Sequence, residues 1–359
     1  MKISTRDTSL IEHKIRLTDN YNQEIYNNVD FKKLEEIQYF LEKNNPEFIQ
    51  NFELVEYLDS GSTGIVYKGK TADPGDNRLY SFKFFFQKNK KKKRNKSKFN
   101  EIIIQKKLHY KYIAQILAFS KLNDEDFFSV SELGKYGNLD NFLHRYLKRD
   151  ILSETFINYI AKQILEALNY MHRKKLYHMD LKKGNIVLDS ELNIKLIDYS
   201  STISFGKENP NTLYVFPKIG TGRYMSPELM NRANIEIKYG EKLDIFSLGV
   251  TLYNLAFGCY PYGLSNIKGD DYNQITEKLN NEPLEFPKNI EISKHFQNFL
   301  RKVLEKDYLK RYNTREALED PWIKGWDIIN EEKENTGILE NFIIKLITDN
   351  IPKFNQYIK

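Results

Sequence analysis

The 359-residue chain is long enough for about two domains of the usual size, and 40% hydrophobic residues is enough for packed cores. A formal net charge of +6, from 55 basic and 49 acidic residues, does not by itself indicate a nucleic-acid partner, because much of the excess sits in one run. The single cysteine, Cys259, excludes an internal disulfide and reads as a space-filler at a helix end. With no N-terminal apolar leader pattern and no apolar run of roughly 18 residues, the expectation is a soluble intracellular protein, cytoplasmic unless a nuclear address is present.

In chain order, residues 1–51 form a polar, Asn-rich extension with one amphipathic patch, Phe31, Leu34, Ile37 and Leu41, at helical spacing. From 52 to about 131 the pattern turns to short alternating segments at 52–58, 65–70, 80–86 and 127–131, around one helical segment near 98–108. After Gly134 and Gly137 helical patterns dominate, at 151–172, 242–257, 293–304 and 314–319, the last with Thr314 as its expected N-cap. The fold class expected is α+β, with a small sheet-rich part and a larger helical part. In the tail, 327–359, the residues Ile338, Leu339, Phe342, Ile343, Leu346 and Ile347 make an apolar stripe expected to pack on the helical part.

No internal repeat is visible, and the low-complexity tract is a lysine run in which eight of the eleven residues from Lys88 to Lys98 are Lys or Arg. Its plain reading is a solvated loop. The sharper readings are a nuclear address or a contact for an acidic partner, nucleic acid or an anionic membrane surface. The scarcity of aromatics inside the run argues against base stacking.

The densest chemical signal is Tyr177-His178-Met179-Asp180-Leu181-Lys182-Lys183-Gly184-Asn185, followed by Asp198 after the apolar run at 194–197. An Asp able to meet a hydroxyl proton, a Lys two residues on, an Asn five on and a second carboxylate after a strand can surround one metal-bound phosphate. Upstream, Gly61 and Gly64 lie in a turn between two strands, where missing side chains let backbone N–H groups approach phosphate oxygens. Lys83 sits in an apolar strand, where an ammonium is costly to bury unless it meets anions. Glu101 on the next helix is its expected partner, with an attraction of about 4 kcal/mol at ~4 Å and an effective dielectric near 20.

This ordered series resembles the eukaryotic protein kinase family over roughly residues 52–326, and the closing stretch Gly220-Thr221-Gly222-Arg223-Tyr224-Met225-Ser226-Pro227-Glu228 strengthens the likeness. The resemblance implies a bilobal fold with an N-lobe at about 52–131, a hinge at 131–134 and a C-lobe at about 135–326. It also implies ATP and Mg²⁺ as cofactors and proteins as substrates. Around the nucleotide it places Leu58, Gly61, Gly64, Val66, Ser81, Lys83, Ser131, Glu132, Gly134 and Val187. Asp180 takes or orients the substrate hydroxyl, Lys182 neutralises charge on the transferred group, and Asn185 and Asp198 hold the metal. His178 has a packing role. Lys182 with Thr221 points to serine/threonine specificity, Asp244 tethers the catalytic loop, and Glu228 pairs with Arg311.

Several positions depart from the family pattern. Asp59 replaces the first loop glycine, Met179 the catalytic-loop Arg, Tyr199 and Ser200 the Phe and Gly after the metal-binding Asp, and Gln105 an apolar helix position. A thioether cannot receive a phosphate as an Arg does, so activity is expected not to require a phosphate docked there. Asn138, Gly184 and Asn254 stand where basic-directed kinases often carry Glu, so no strong preference for substrate arginine is expected. Two functions follow from this reading: an active protein serine/threonine kinase, favoured by retention of the reacting groups, and a nucleotide-binding pseudokinase scaffold acting through its extensions and basic loop.

Overall fold

The computed structural model describes residues 52–60, 64–71, 78–85, 95–121, 127–148 and 150–325. The amphipathic patch of the first 51 residues, Gly61, the lysine run up to Arg94 and the apolar tail stripe lie outside the described residues. Two compact units divide the chain, one drawn from residues through Lys106 and from Gln115–Leu133, the other from Lys107–Ala114 and from Gly134 onward.

The first unit is an antiparallel sheet of β1 (Phe52–Ser60), β2 (Ile65–Thr71), β3 (Leu79–Phe85), β4 (Ile116–Lys121) and β5 (Phe127–Glu132) in the order β1-β2-β3-β5-β4, with helix α1 (Asn95–Lys106). Side chains alternate faces along a strand. On β3 the even positions Tyr80, Phe82 and Phe84 pack with Tyr67, Phe128 and Val130 into one core. The odd positions include Phe85, which packs with Ile102 of α1 and Ile116 of β4. Sequence periodicity missed β4, whose pairing with β5 slips between Ile116 and Ala118.

In the second unit, α2 (Glu154–Arg173) and α3 (Glu241–Phe257) pack together, with α4 (Tyr272–Asn281), α5 (Lys294–Val303) and α6 (Thr314–Leu318) following in the chain. Helix α2 starts at Ser153, whose hydroxyl caps the Phe156 N–H, and buries the stripe Ile157, Ile160, Ala161, Ile164, Leu168 and Met171 at three- and four-residue steps. Helix α3 is buried from Lys242 to Phe257, which explains its near-continuous apolar run. Short paired strands carry the loops: β6 (Leu176–Tyr177) with β9 (Ile203–Ser204), β7 (Ile186–Leu188) with β8 (Ile194–Leu196), and β10 (Leu213–Val215) with β11 (Asn234–Glu236).

Two sequence expectations are corrected, and one helix was missed. Residues 107–114, expected with the sheet-rich part, belong to the second unit, because Ala114 N–H donates to the Leu196 carbonyl and Leu196 N–H to that of Tyr112. The cap of α6 is Asn313, not Thr314, in a reciprocal capping box with Glu316. Helix α4 escaped detection because its buried stripe is only Ile275 and Leu279.

Candidate active site

In the first unit, strand alternation puts Ser81, Lys83 and Phe85 on the α1 face of β3, and Lys83 Nζ meets Glu101 Oε1 at 2.6 Å. Only 16% of the Lys83 side chain and 4% of the Glu101 side chain are exposed, so water screens this pair little. The ammonium also lies 5.2 Å from the Phe85 ring centre. Val66 faces Lys83 across β2–β3, and Leu58 is half-buried on β1. Asp59 is exposed on β1. Gly64 has a packing reason as well as an electrostatic one: a Cβ there would stand 2.1 Å from the Phe84 carbonyl oxygen. Ser131 lies opposite Ser81, and Glu132 holds β4 through its carboxylate, which accepts the Gln115 N–H at 3.0 Å.

In the second unit, Asp180, Lys182, Asn185 and Thr221 form a closed set of hydrogen bonds. Asp180 Oδ1 accepts the Thr221 hydroxyl at 2.8 Å, and Oδ2 accepts Asn185 Nδ2 at 3.0 Å and lies 2.9 Å from Lys182 Nζ. Lys182 also donates to Thr221 Oγ1 at 2.7 Å. The Asn185 amide nitrogen donates a second bond, to the Asp180 carbonyl, so its remaining donor atom toward a cation is the hard oxygen Oδ1. Ile197 N–H donates to the Asn185 carbonyl at 3.0 Å, bringing Asp198 to the same loop. These oxygen donors fit a hard divalent cation. Among the described residues no group of three or more carboxylates, imidazoles or thiolates is arranged to hold a metal ion, so such a cation would complete its shell with phosphate oxygens and water.

Two of the seven non-glycine residues with left-handed φ among the described residues lie here. Met179 and Asp198 have φ of 66° and 62°, left-handed values costing about 1–3 kcal/mol each for such residues. Gly220, at φ 95°, has the conformational freedom its position needs, since a Cβ would come 2.3 Å from the Met179 carbonyl oxygen. What holds Met179 is Asp244, whose Oδ1 accepts the Met179 N–H and Oδ2 the His178 N–H, both at 2.8 Å. Burial alone would push the Asp244 carboxyl up. The hydrogen bond and charge of His172, the charge of His178 and the Met179 N–H outweigh burial and hold it below the usual carboxylate range. His178 itself is buried, its Nε2 3.2 Å from the Ile197 carbonyl and its ring against Tyr199. Tyr199 donates its hydroxyl to the Leu196 carbonyl, and the Ser200 N–H donates to Asp198 Oδ1.

The Glu228–Arg311 pair is bidentate, at 2.6 and 2.9 Å, and the guanidinium donates further to the carbonyls of Lys242, Glu305 and Lys306. Val187 sits on β7 against Gly134, where a Cβ would clash with it at 2.5 Å. Asn138 caps the helical turn Leu139–Asn141 through Asn141 N–H. Sequence reasoning missed His172, whose Nε2 lies 2.8 Å from Asp244 Oδ2 and whose Nδ1 lies 2.6 Å from Thr314 Oγ1. Its one signal was position: His172 falls four residues after Leu168 on the buried stripe of α2, where a polar ring needs partners. Asp140, paired with Lys183 at 3.0 Å beside Gly184, was missed too.

The sequence model of the protein kinase domain matches residues 52–323. Serine/threonine-protein kinase TIO of Arabidopsis thaliana is 29% identical over 294 residues, covering 82% of this chain and 21% of that protein. Calcium-dependent protein kinase 4 of Plasmodium berghei is 29% identical over 308 residues, covering 83% of this chain and 53% of that protein. Serine/threonine-protein kinase ULK3 of Mus musculus is 27% identical over 278 residues, covering 77% and 55%. The chain thus spans from about a fifth to just over half the length of these relatives.

Proposed function

The chain belongs to the protein kinase family, and from that premise we propose that it transfers the γ-phosphate of ATP, with Mg²⁺, to serine and threonine hydroxyls of protein substrates. The observation that carries the reading is the set of bonds joining Asp180, Lys182, Asn185 and Thr221. In the proposed reaction Asp180 orients the substrate hydroxyl and takes its proton. Lys182, already beside Asp180, offsets charge on the phosphoryl group. Lys83, aligned by Glu101, holds nucleotide phosphates, and the family resemblance assigns Leu58, Gly61, Gly64, Val66, Ser81 and Val187 to the nucleotide and the hinge 131–134 to its adenine edge. Asn185 and Asp198 hold the cation, which when bound would screen the phosphate charge.

We further assign the catalytic domain to 52–326, flanked by extensions at 1–51 and 327–359. Among the described residues no helix is long and apolar enough to cross a membrane. The test is transfer of labelled phosphate from ATP to a generic protein substrate, with Asp198→Ala as control. Transfer lost in the control supports the reading, and transfer that survives it does not. Tight ATP binding without transfer by the wild type would instead assign a pseudokinase scaffold.

A further inference from the structure

The helical unit carries a basic surface that the proposed chemistry does not use. On α2, positions 166, 170 and 173 share one face by helical spacing, Lys174 follows as the C-cap, and the loop 107–114 lies on that face. The Tyr110 ring stacks on Tyr170 at 4.9 Å, the His109 N–H donates to the Tyr170 hydroxyl, and the Tyr110 hydroxyl donates to Glu166. Lys111 Nζ lies 3.3 Å from Glu166 with 62% of its side chain exposed, and Lys174 stands 5.0 Å from the Tyr170 ring centre. Arg173 and Lys174 are both exposed. Of these three cations Lys111 is the one that meets Glu166, a carboxylate that also accepts the Tyr110 hydroxyl, while Arg173 and Lys174 stand about 10–12 Å further along the helix axis. The two rings face each other, so they offer no open platform for a nucleobase.

An acidic segment of the same chain is within reach. From 327 to 340 the sequence holds Asp327, Glu331, Glu332, Glu334 and Glu340 against one base, Lys333. The Trp322 carbonyl accepts Asn158 Nδ2 at 2.6 Å, so the chain leaves the helical unit beside the early turns of α2. From Asn158 to Tyr170 is twelve residues of helix, about 18 Å at ~1.5 Å per residue. Residues 321–325 are helical, and the six residues from Gly325 to Glu331 can span up to about 20 Å when extended.

We propose that residues 327–340 dock in cis on the surface formed by Lys111, Arg173 and Lys174. Tethering makes several weak ion pairs sufficient, because the segment is held at high effective concentration. The test uses the full chain and does not depend on phosphoryl transfer, so it stands or falls separately from the proposed activity. A carbodiimide, which joins a lysine amine to a carboxylate with loss of water, should couple Lys111 or Lys174 to peptides containing Glu331–Glu334, and coupling should fade as ~1 M salt shortens the screening length to about 3 Å. Trypsin cleavage after Lys333 should accelerate about fivefold in Lys111→Gln/Lys174→Gln, and to a smaller extent in Arg173→Gln, substitutions that leave the residues around the cleaved bond unchanged, as expected for losing a few exposed ion pairs. The Gln variants add no like charge beside Glu166, and an unchanged unfolding midpoint verifies their fold. Coupling directed mainly to the lysines at 88–93, coupling only between two molecules, or cleavage rates unmoved by either variant would overturn the proposal.

Discussion

Replacing Asp244 by asparagine asks how the strained turn at Met179 is held. Asp244 is wholly buried and meets three partners at 2.8 Å: the N–H groups of His178 and Met179, and His172 Nε2. Hydrogen bonds to an ionised acceptor contribute about 1.5–3 kcal/mol each, neutral ones about 0.5–1.5. Asparagine offers one acceptor oxygen, so at least one N–H loses its partner and the surviving bonds become neutral. A loss of about 3–5 kcal/mol of stability follows, the range for breaking one side of a buried charged contact. A single neutral bond no longer exceeds the strain of about 1–3 kcal/mol at Met179, so the loop relaxes and Asp180 moves with it. Turnover should therefore fall at least a hundredfold, equivalent to roughly 2.7 kcal/mol at the transition state.

Urea unfolding and initial-rate kinetics at saturating ATP read the two effects independently. Turnover near wild type with a stability loss below ~1 kcal/mol would refute the reasoning. The pH dependence carries a sign as well. The folded-state carboxyl of Asp244 is held below its usual value of about 3.9, so its stabilisation is complete above that pH and is lost as pH falls toward the lower folded-state value. The difference between wild type and Asp244→Asn should stay flat from about pH 8 to pH 5 and narrow only below ~3.9. Narrowing near neutral pH would refute the assignment to Asp244.

Two further outcomes are expected. Glu228→Gln should cost about 3–5 kcal/mol, lowering the thermal midpoint by roughly 10 °C for a unit of this size, and adding Arg311→Met should not recover it, because the carbonyls of Lys242, Glu305 and Lys306 lose this donor. A single-variant loss under ~1 kcal/mol would show that the pair is not desolvated as its burial indicates. Alanine at Ser201, Thr202, Ser204 and Thr212 together should leave turnover near wild type, because backbone pairing of β6 with β9 and β10 with β11 positions this segment and Met179 offers no charge to a phosphate. Collapse of turnover to background would contradict it.

Some of the site was legible because its geometry is local. The five-residue step from Asp180 to Asn185 lies within one loop, and strand alternation alone put Lys83 on the same face as Phe85, toward α1. The two-residue step to Lys182 sets a charge beside Asp180 whatever the rest of the chain does. The α+β class followed from the switch between two- and helical periodicity near Gly134. Weakly patterned elements escaped for the converse reason: β4 slips in register, and α4 buries only two side chains.

By itself the sequence determined which candidate site groups the protein has and their order, since spacing along a strand or loop follows from backbone geometry. Only the tertiary structure decided what braces them. His172 reaches Thr314 across 142 positions, Asp244 reaches Met179 across 65, and Arg311 finds three carbonyls besides Glu228. The same is true of Tyr110 on Tyr170, which ties 107–114 to the helical unit. A buried polar group must find a partner, but which distant segment supplies it depends on how the helices pack, and no local pattern encodes that.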